Sequence, residues 1–149
     1  MSVIDLKTIY ETDGFKWLEY TIELLKNRQF SALDLENLIE ELEELGRNEK
    51  RTTLSLLRNI AEHLLFLQYW DREREYNANH WKREIYNWRV DLEQALTTTL
   101  LNYLRENLDL VYQRALKSAN LETGNTVDFP TECPYTLEQL LDLNWFPDQ

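Results

Sequence analysis

Apolar residues recur at a helical period over a long part of the chain. At 100° per residue, two groups of them, within residues 35–45 and 56–67, fall on the same arc of a helical wheel. The helical phase of the apolar positions continues across Gly46 and the polar "RNEKRTT", whereas a break in the helix would shift this phase. The pattern predicts one helix from about Ser31 to about Arg72, with two stacked helices as the alternative. The arc holds Leu35, Leu38, Ile39, Leu42, Leu45, Leu56, Leu57, Ile60, Leu64 and Leu67.

Shorter amphipathic stretches predict helices on both sides of this one. Thr12 or Asp13 can cap a helix whose apolar stripe covers residues 17–25. The polar "REREYNANHW" is expected to contain a turn before a helix with a stripe over residues 81–96. The run "TTT" should end that helix, because threonine is a weak helix former that caps well.

The last third of the chain continues in the same way. A stripe over residues 101–119 predicts a helix that stops at Gly124, and Thr136 with Gln139 matches a capping box at the start of a final helix. No segment alternates with period two. We therefore predict an all-α fold: an antiparallel helical bundle of about five helices with one long central helix, forming a single domain over residues 1–149.

Charge narrows the choice of partners. The formal net charge is −11 and the isoelectric point is near 4.6. Such a chain repels phosphate backbones and anionic membranes, so no nucleic acid and no membrane is expected as a partner. Cys133 is the single cysteine, no long apolar run is present, and the start of the chain does not resemble a secretory signal. A cytoplasmic location is therefore expected.

Five glutamates crowd the stretch "DLENLIEELEELG" and raise the question of a carboxylate metal site. On the wheel they spread over the side opposite the leucines, whereas metal-binding carboxylates converge. The pattern indicates a solvated helix face on which Glu43 pairs with Arg47, with a surface site shared with another chain as the alternative. The five are Glu36, Glu40, Glu41, Glu43 and Glu44.

His63 and Glu49 are polar residues on or beside the apolar arc, and they are the candidates for catalysis. They lie fourteen residues apart, roughly 21 Å along a straight helix, so each needs partners from other helices. Both are more typical of hydrogen-bonded structural residues than of ligands or proton carriers. A metal-dependent or acid–base site inside the bundle around this pair is the alternative.

The usual enzyme motifs are absent. The residues three before His63 and His80 are Ile60 and Asn77, so no Glu-x-x-His pair exists for a di-iron centre. The sequence has no His-Glu-x-x-His, no cysteine pair and no glycine-rich phosphate loop. We therefore predict no metal and no cofactor, and we interpret Cys133 as a loop thiol rather than a nucleophile.

The remaining candidates are residues that could form an interface. Tryptophan is favoured at binding hot spots, and the spacing of Trp81 indicates core packing as well, which leaves both roles open. Trp70 lies near a predicted helix end. Together with Glu40 and Glu43 on the acidic face, these two tryptophans are the interface candidates.

The order of several segments resembles a known family. "YETDGFKWLEYTIELL", "LDLENLIEELEELGRNEKR", "HLLFLQYWDREREYNANHW" and "FPTECPYTLEQLLDLNWFP" are similar to domain of unknown function 29, a family abundant in cyanobacteria, over about residues 10–147. Phe66 departs from the family pattern, which often has lysine there, and so does "TTT", where many members have Ser-Pro-Ser. The matching positions are Leu38, Glu40, Glu41, Leu42, Glu43, Gly46, His63, Leu64, Trp81 and Thr136.

The resemblance implies a helical protein and no catalytic role. Two hypotheses remain. The first is a non-catalytic module that binds another protein or itself. The second is the enzyme with a site around His63 and Glu49.

Overall fold

The computed structural model describes residues 5–148, and all regular elements in this range are helices. This confirms the all-α class. The seven α-helices exceed the predicted five because a first helix was not foreseen and the stripe over residues 101–119 belongs to two helices. The helices are α1 (Leu6–Thr12), α2 (Gly14–Lys26), α3 (Leu35–Tyr69), α4 (Asp71–Ala95), α5 (Thr98–Glu106), α6 (Leu108–Glu122) and α7 (Leu137–Leu141), with a 3₁₀ turn at Phe30–Ala32.

The chain divides into two compact units, Met1–Asn48 and Glu49–Gln149. The predicted single domain stays a prediction. In the first unit, Asp13 caps α2 by accepting a hydrogen bond from the Lys16 amide at 3.1 Å, which confirms the predicted helix start. Leu6 and Trp17 are the apolar side chains buried in the described part of this unit. The Trp17 and Tyr10 rings pack edge-to-face at 5.1 Å between centroids.

The long helix is confirmed, because α3 runs for 35 residues through Gly46. The two halves of its apolar arc differ in burial. Leu57, Ile60, Leu64 and Leu67 are fully buried in the second unit, whereas the arc residues that precede Gly46 are largely exposed. Periodicity therefore predicted the helix correctly but did not distinguish a covered face from an uncovered one.

The predicted turn in "REREYNANHW" is wrong, because α4 passes through this segment without a break. The chain turns earlier, at Trp70. Arg74 stabilises this corner by donating hydrogen bonds to the Leu67 and Gln68 carbonyl oxygens, each at 2.7 Å. These carbonyls belong to the last turn of α3, where helical partners are missing.

The core of the second unit combines α3 with α4, α5, α6, α7 and the loop that carries Phe129 and Tyr135. Thr97 caps α5, which confirms the predicted break, and Asn107 ends α5 where a continuous helix was expected. Gly124 has φ +62°, the left-handed conformation expected after a helix end. The capping box of Thr136 is also confirmed. Among residues 5–148, we find no helix with the length and apolarity that a membrane crossing requires.

Candidate functional site

His63 lies half-buried on α3 inside an aromatic cluster of the second unit. Its Nδ1 donates a hydrogen bond to the Asn59 carbonyl oxygen at 3.0 Å, one turn back along the helix. Its ring packs edge-to-face with Phe66 and Trp88, with centroids 5.1 and 4.6 Å away. Burial lowers the pKa of His63, because the charged imidazolium would lose solvation there. This environment suits a neutral packing residue.

Glu49 does not join His63 in a site. Its side chain is exposed, so Glu49 does not lie on a covered part of the helix face, and its hydrogen-bonded or ion-paired structural role stays a prediction. The arc residues that precede it, Leu42 and Leu45, are exposed as well, so Glu49 lies before the covered part of the arc begins at Thr53. Among the described residues, no group of three histidine, cysteine, aspartate or glutamate side chains is placed to hold a metal ion.

The environment of His63 predicts that the stability of the folded chain depends on pH. Because its pKa is lower in the folded chain than the ordinary 6.5, the unfolded chain binds the extra proton first as the pH falls. The stabilising contribution of neutral His63 is complete above about pH 6.5 and is lost as the pH falls through the lowered value. When the pH is lowered from about 8 to about 5, we expect the free energy of unfolding to fall less for His63→Phe than for the wild type.

Urea denaturation at several pH values checks this. Glu84, His80 and Glu122 are the other charges that act on His63. Asn79→Phe is the matched control, because Asn79 is an exposed residue of α4 without an ionisable group, and its replacement should leave the slope of stability against pH as in the wild type. Parallel slopes for the wild type and His63→Phe would contradict the expected role of His63.

Cys133 lies half-buried in the loop before α7. Its thiol donates a hydrogen bond to the Tyr135 carbonyl oxygen at 3.3 Å. Burial raises the pKa of the thiol, which is opposite to the shift that activates a nucleophilic cysteine.

The two tryptophan candidates face each other at the corner between α3 and α4. The rings of Trp70 and Trp81 stack with centroids 5.8 Å apart and planes 15° apart, and both pack against Phe66. Trp81 is buried and Trp70 is half-buried. This placement supports a core role for Trp81 more than an interface role.

Arg89 on α4 is a buried charge that the sequence analysis missed. Its guanidinium donates hydrogen bonds to three backbone carbonyl oxygens of the C-terminal segment: Leu140 at 2.8 Å, Trp145 at 2.7 Å and Gln139 at 3.0 Å. It also lies over the Phe146 ring at 5.2 Å. Arg89 therefore anchors the end of the chain. A signal was present, since Arg89 lies four residues after Ile85 and three before Leu92, on the apolar stripe of α4.

The first unit carries two exposed apolar stripes. On α2, Phe15, Leu18, Ile22 and Leu25 are spaced three, four and three; we call these residues the α2 stripe. On α3, Leu35, Ile39, Leu42 and Leu45 form the α3 stripe, with each side chain 53–60% exposed. These eight, with Phe30, account for nine of the thirteen large exposed hydrophobic residues in the described chain. Exposed apolar surface is therefore concentrated in this unit.

Glu40 and Glu43, the acidic interface candidates, lie on the exposed side of α3 in the same unit. Arg47 pairs with both, with nitrogen–oxygen distances of 3.0 and 3.7 Å, and with Glu44 at 2.7 Å. The side chains of these glutamates remain exposed to solvent, which agrees with a solvated helix face. Eleven acidic and five basic residues give residues 1–48 a formal charge of −6.

Comparison with known proteins yields one family. A family model described as "Domain of unknown function DUF29" matches residues 9–146, nearly the whole chain. No curated protein and no solved structure matches the chain.

Proposed function

The chain belongs to the family described as domain of unknown function DUF29, and on that premise we propose that it is a non-catalytic protein-interaction module. Its first unit binds a basic amphipathic helix of another protein. The same proposal places it in the cytoplasm. A single cysteine cannot form an internal disulfide, which favours a reducing compartment over an oxidising one.

The exposed α3 stripe is the observation that carries this proposal. Burying a leucine or isoleucine side chain stabilises a protein by about 1.5–3 kcal/mol, and the stripe leaves more than half of that surface in water. Single exposed leucines are ordinary, but contiguous apolar patches on a polar helix are typical of binding surfaces. In the second unit, by contrast, four of the five residues on the same arc of the same helix are fully buried, and the fifth, Leu56, is partly buried against the core.

The spacing of the exposed residues favours a helical partner. Leu35, Leu38, Leu42 and Leu45 repeat as the a and d positions of two heptads, with Leu38 half-buried. The α2 stripe has the same three-four-three spacing. Helices with apolar residues at these intervals pack by inserting side chains between those of another helix.

Charge selects a basic partner over a second copy of this chain. Glu36 and Glu43 border the α3 stripe on one side, and Glu41 borders it on the other. Two such surfaces would bring carboxylates together, which is unfavourable. Lysine or arginine beside the apolar face of the partner would instead complement the charge of −6 on residues 1–48.

A designed peptide can test this proposal. The probe has about three heptads with leucine at a and d and lysine on its polar face, and the control peptide has glutamate in place of lysine. We expect the basic peptide to bind, with an affinity that falls as salt screens the charges. Replacing Leu42 with serine should weaken binding about tenfold, equivalent to about 1.4 kcal/mol, as measured by fluorescence anisotropy of the labelled peptide.

Leu121→Ser is the matched control, because Leu121 is a leucine of α6 in the second unit with 71% exposure. It should bind the basic peptide as the wild type does. Equal affinity for the two peptides, or equal effects of the two substitutions, would overturn the proposal. Sedimentation that shows a wild-type dimer dissociating in Leu42→Ser would assign the surface to a second copy instead.

A further inference from the structure

A recess of the second unit lies at the corner where α3 gives way to α4, beside the loop that follows α6. Residues 69–72 of the corner and residues 126–128 of the loop line it. Its volume is about 430 Å³, within the roughly 300–1,000 Å³ that small-molecule pockets usually have. The two lining segments are far apart in sequence, so the fold of this unit creates the recess.

Two neighbouring aromatic side chains and Val127 supply the apolar part of the lining. Tyr69 and Trp70 are both half-buried, and each is held from the core side by another ring. Tyr69 packs edge-to-face with Phe129 at 6.2 Å between centroids, and Trp70 stacks on Trp81. The remaining surface of the two rings favours a flat aromatic group, which gains by stacking or edge-to-face contact. Because the rings are already held in place, little ordering is needed when a ligand binds.

Arg72 and Asp128 bring opposite charges to the same recess. Both side chains are exposed, and among residues 5–148 neither has an ion-pair partner within 4.0 Å. Asp71, the other carboxylate of the lining, is instead paired with Arg74. The recess therefore offers a ligand one guanidinium and one carboxylate that form no ion pair with the described part of the chain.

The balance of these charges identifies the ligand class. A guanidinium binds a carboxylate through paired, charge-assisted hydrogen bonds, and a carboxylate accepts such bonds from an ammonium group. A ligand with one group of each kind can pair with both Arg72 and Asp128, whereas a singly charged ligand leaves one of them without a partner. A ring on the same ligand can cover the aromatic wall. We propose that this recess binds an aromatic α-amino acid, with its carboxylate on Arg72, its ammonium group on Asp128 and its ring against Tyr69 and Trp70.

This site is separate from the proposed function, because the recess belongs to the second unit and the α3 stripe to the first. Isothermal titration calorimetry of the full chain tests it with four probes. L-phenylalanine carries all three groups, phenethylamine lacks the carboxylate, 3-phenylpropionate lacks the ammonium group, and L-alanine lacks the ring. We expect L-phenylalanine to bind, and each of the other three to have a dissociation constant at least about tenfold higher, because one contact is missing.

Arg72→Gln and Asp128→Asn each remove one charge at an exposed position, so both variants should remain folded. Arg72→Gln should raise the dissociation constant for L-phenylalanine about tenfold and abolish the preference over phenethylamine, because the carboxylate of the ligand loses its partner. Asp128→Asn should likewise abolish the preference over 3-phenylpropionate. Arg83→Gln and Asp91→Asn are the matched controls, since both residues are exposed on α4 outside the lining, and these variants should bind as the wild type does.

Three results would overturn the proposal. The first is the absence of L-phenylalanine binding to the wild type, or binding that either Arg72→Gln or Asp128→Asn leaves unchanged. The second is binding of phenethylamine or 3-phenylpropionate as tightly as L-phenylalanine, which would mean that the recess recognises a single charge. The third is equal binding of L-alanine, which would mean that Tyr69 and Trp70 contribute nothing to the site.

Discussion

We expect Arg89→Ala to lower the free energy of unfolding of the second unit by about 3–5 kcal/mol. The guanidinium is 1% exposed and donates to the carbonyl oxygens of Gln139, Leu140 and Trp145. Burial lowers its pKa to about 10, so it still carries its charge at neutral pH. Alanine would leave three carbonyl acceptors without their charged donor and a cavity under the Phe146 ring.

Urea denaturation monitored by tryptophan fluorescence measures this loss. Arg105→Ala is a matched control, because Arg105 pairs with Glu138 of the same α7 at 3.0 Å but on the surface. An exposed pair of this kind contributes little to stability, because solvent screens the charges, so Arg105→Ala should lose far less than Arg89→Ala. Arg89→Lys should fall between the two, since one ammonium lacks the planar fork that reaches several carbonyls. A loss below about 1 kcal/mol for Arg89→Ala would contradict the anchoring role.

The same variant should release the end of the chain before the rest of the unit unfolds. Hydrogen exchange of the backbone amides in residues 139–146 should accelerate in Arg89→Ala more than that of the α3 amides near Leu64. Uniform acceleration along both segments would mean that Arg89 supports the whole core rather than the C-terminal segment.

The sequence predicted the helices well where their starts and their continuity depend on neighbouring residues alone. Asp13 and Thr136 cap helices because their side chains accept amide hydrogen bonds, which depends on nearby residues alone. The continuous α3 followed from the unbroken phase of its apolar residues. The corner at Trp70 could not be predicted in this way, because it contains neither glycine nor proline and depends on Arg74 reaching back to α3.

Features that depend on distant partners were not predictable from periodicity. Arg89 binds carbonyl oxygens about 50 residues further along the chain, and periodicity does not show such a contact. The exposure of Glu49 could not be predicted for the same reason. A helical wheel shows that it lies beside an apolar arc but cannot show whether another element covers that arc.

The difference in burial along α3 bears on the function of the chain. Ten apolar residues share one arc, and sequence alone assigned them one role. The structure covers the later ones with the core of the second unit and leaves the α3 stripe exposed. An apolar stripe that stays exposed on an amphipathic helix is best explained as a surface that binds a partner. This is the basis of the interaction proposal.

We expect Trp81→Ala to lower the free energy of unfolding of the second unit by about 3–5 kcal/mol, the usual loss for a large aromatic residue removed from a core. Trp81 is 6% exposed, stacks on Trp70 and packs against Phe66 at 5.6 Å between centroids. Its removal leaves a cavity at the corner between α3 and α4. These contacts lie within closely spaced elements, so the corner should have little freedom to collapse around the missing ring.

Tyr76→Ala is the matched control on the same helix, because Tyr76 is 81% exposed and its loss should change stability by less than about 0.5 kcal/mol. The basic peptide separates a core role from an interface role for Trp81. If the core role holds, the folded fraction of Trp81→Ala binds this peptide with wild-type affinity, since the α3 stripe is unchanged. A variant that keeps wild-type stability in urea but loses peptide binding would instead make Trp81 an interface residue, which the spacing in the sequence also allowed.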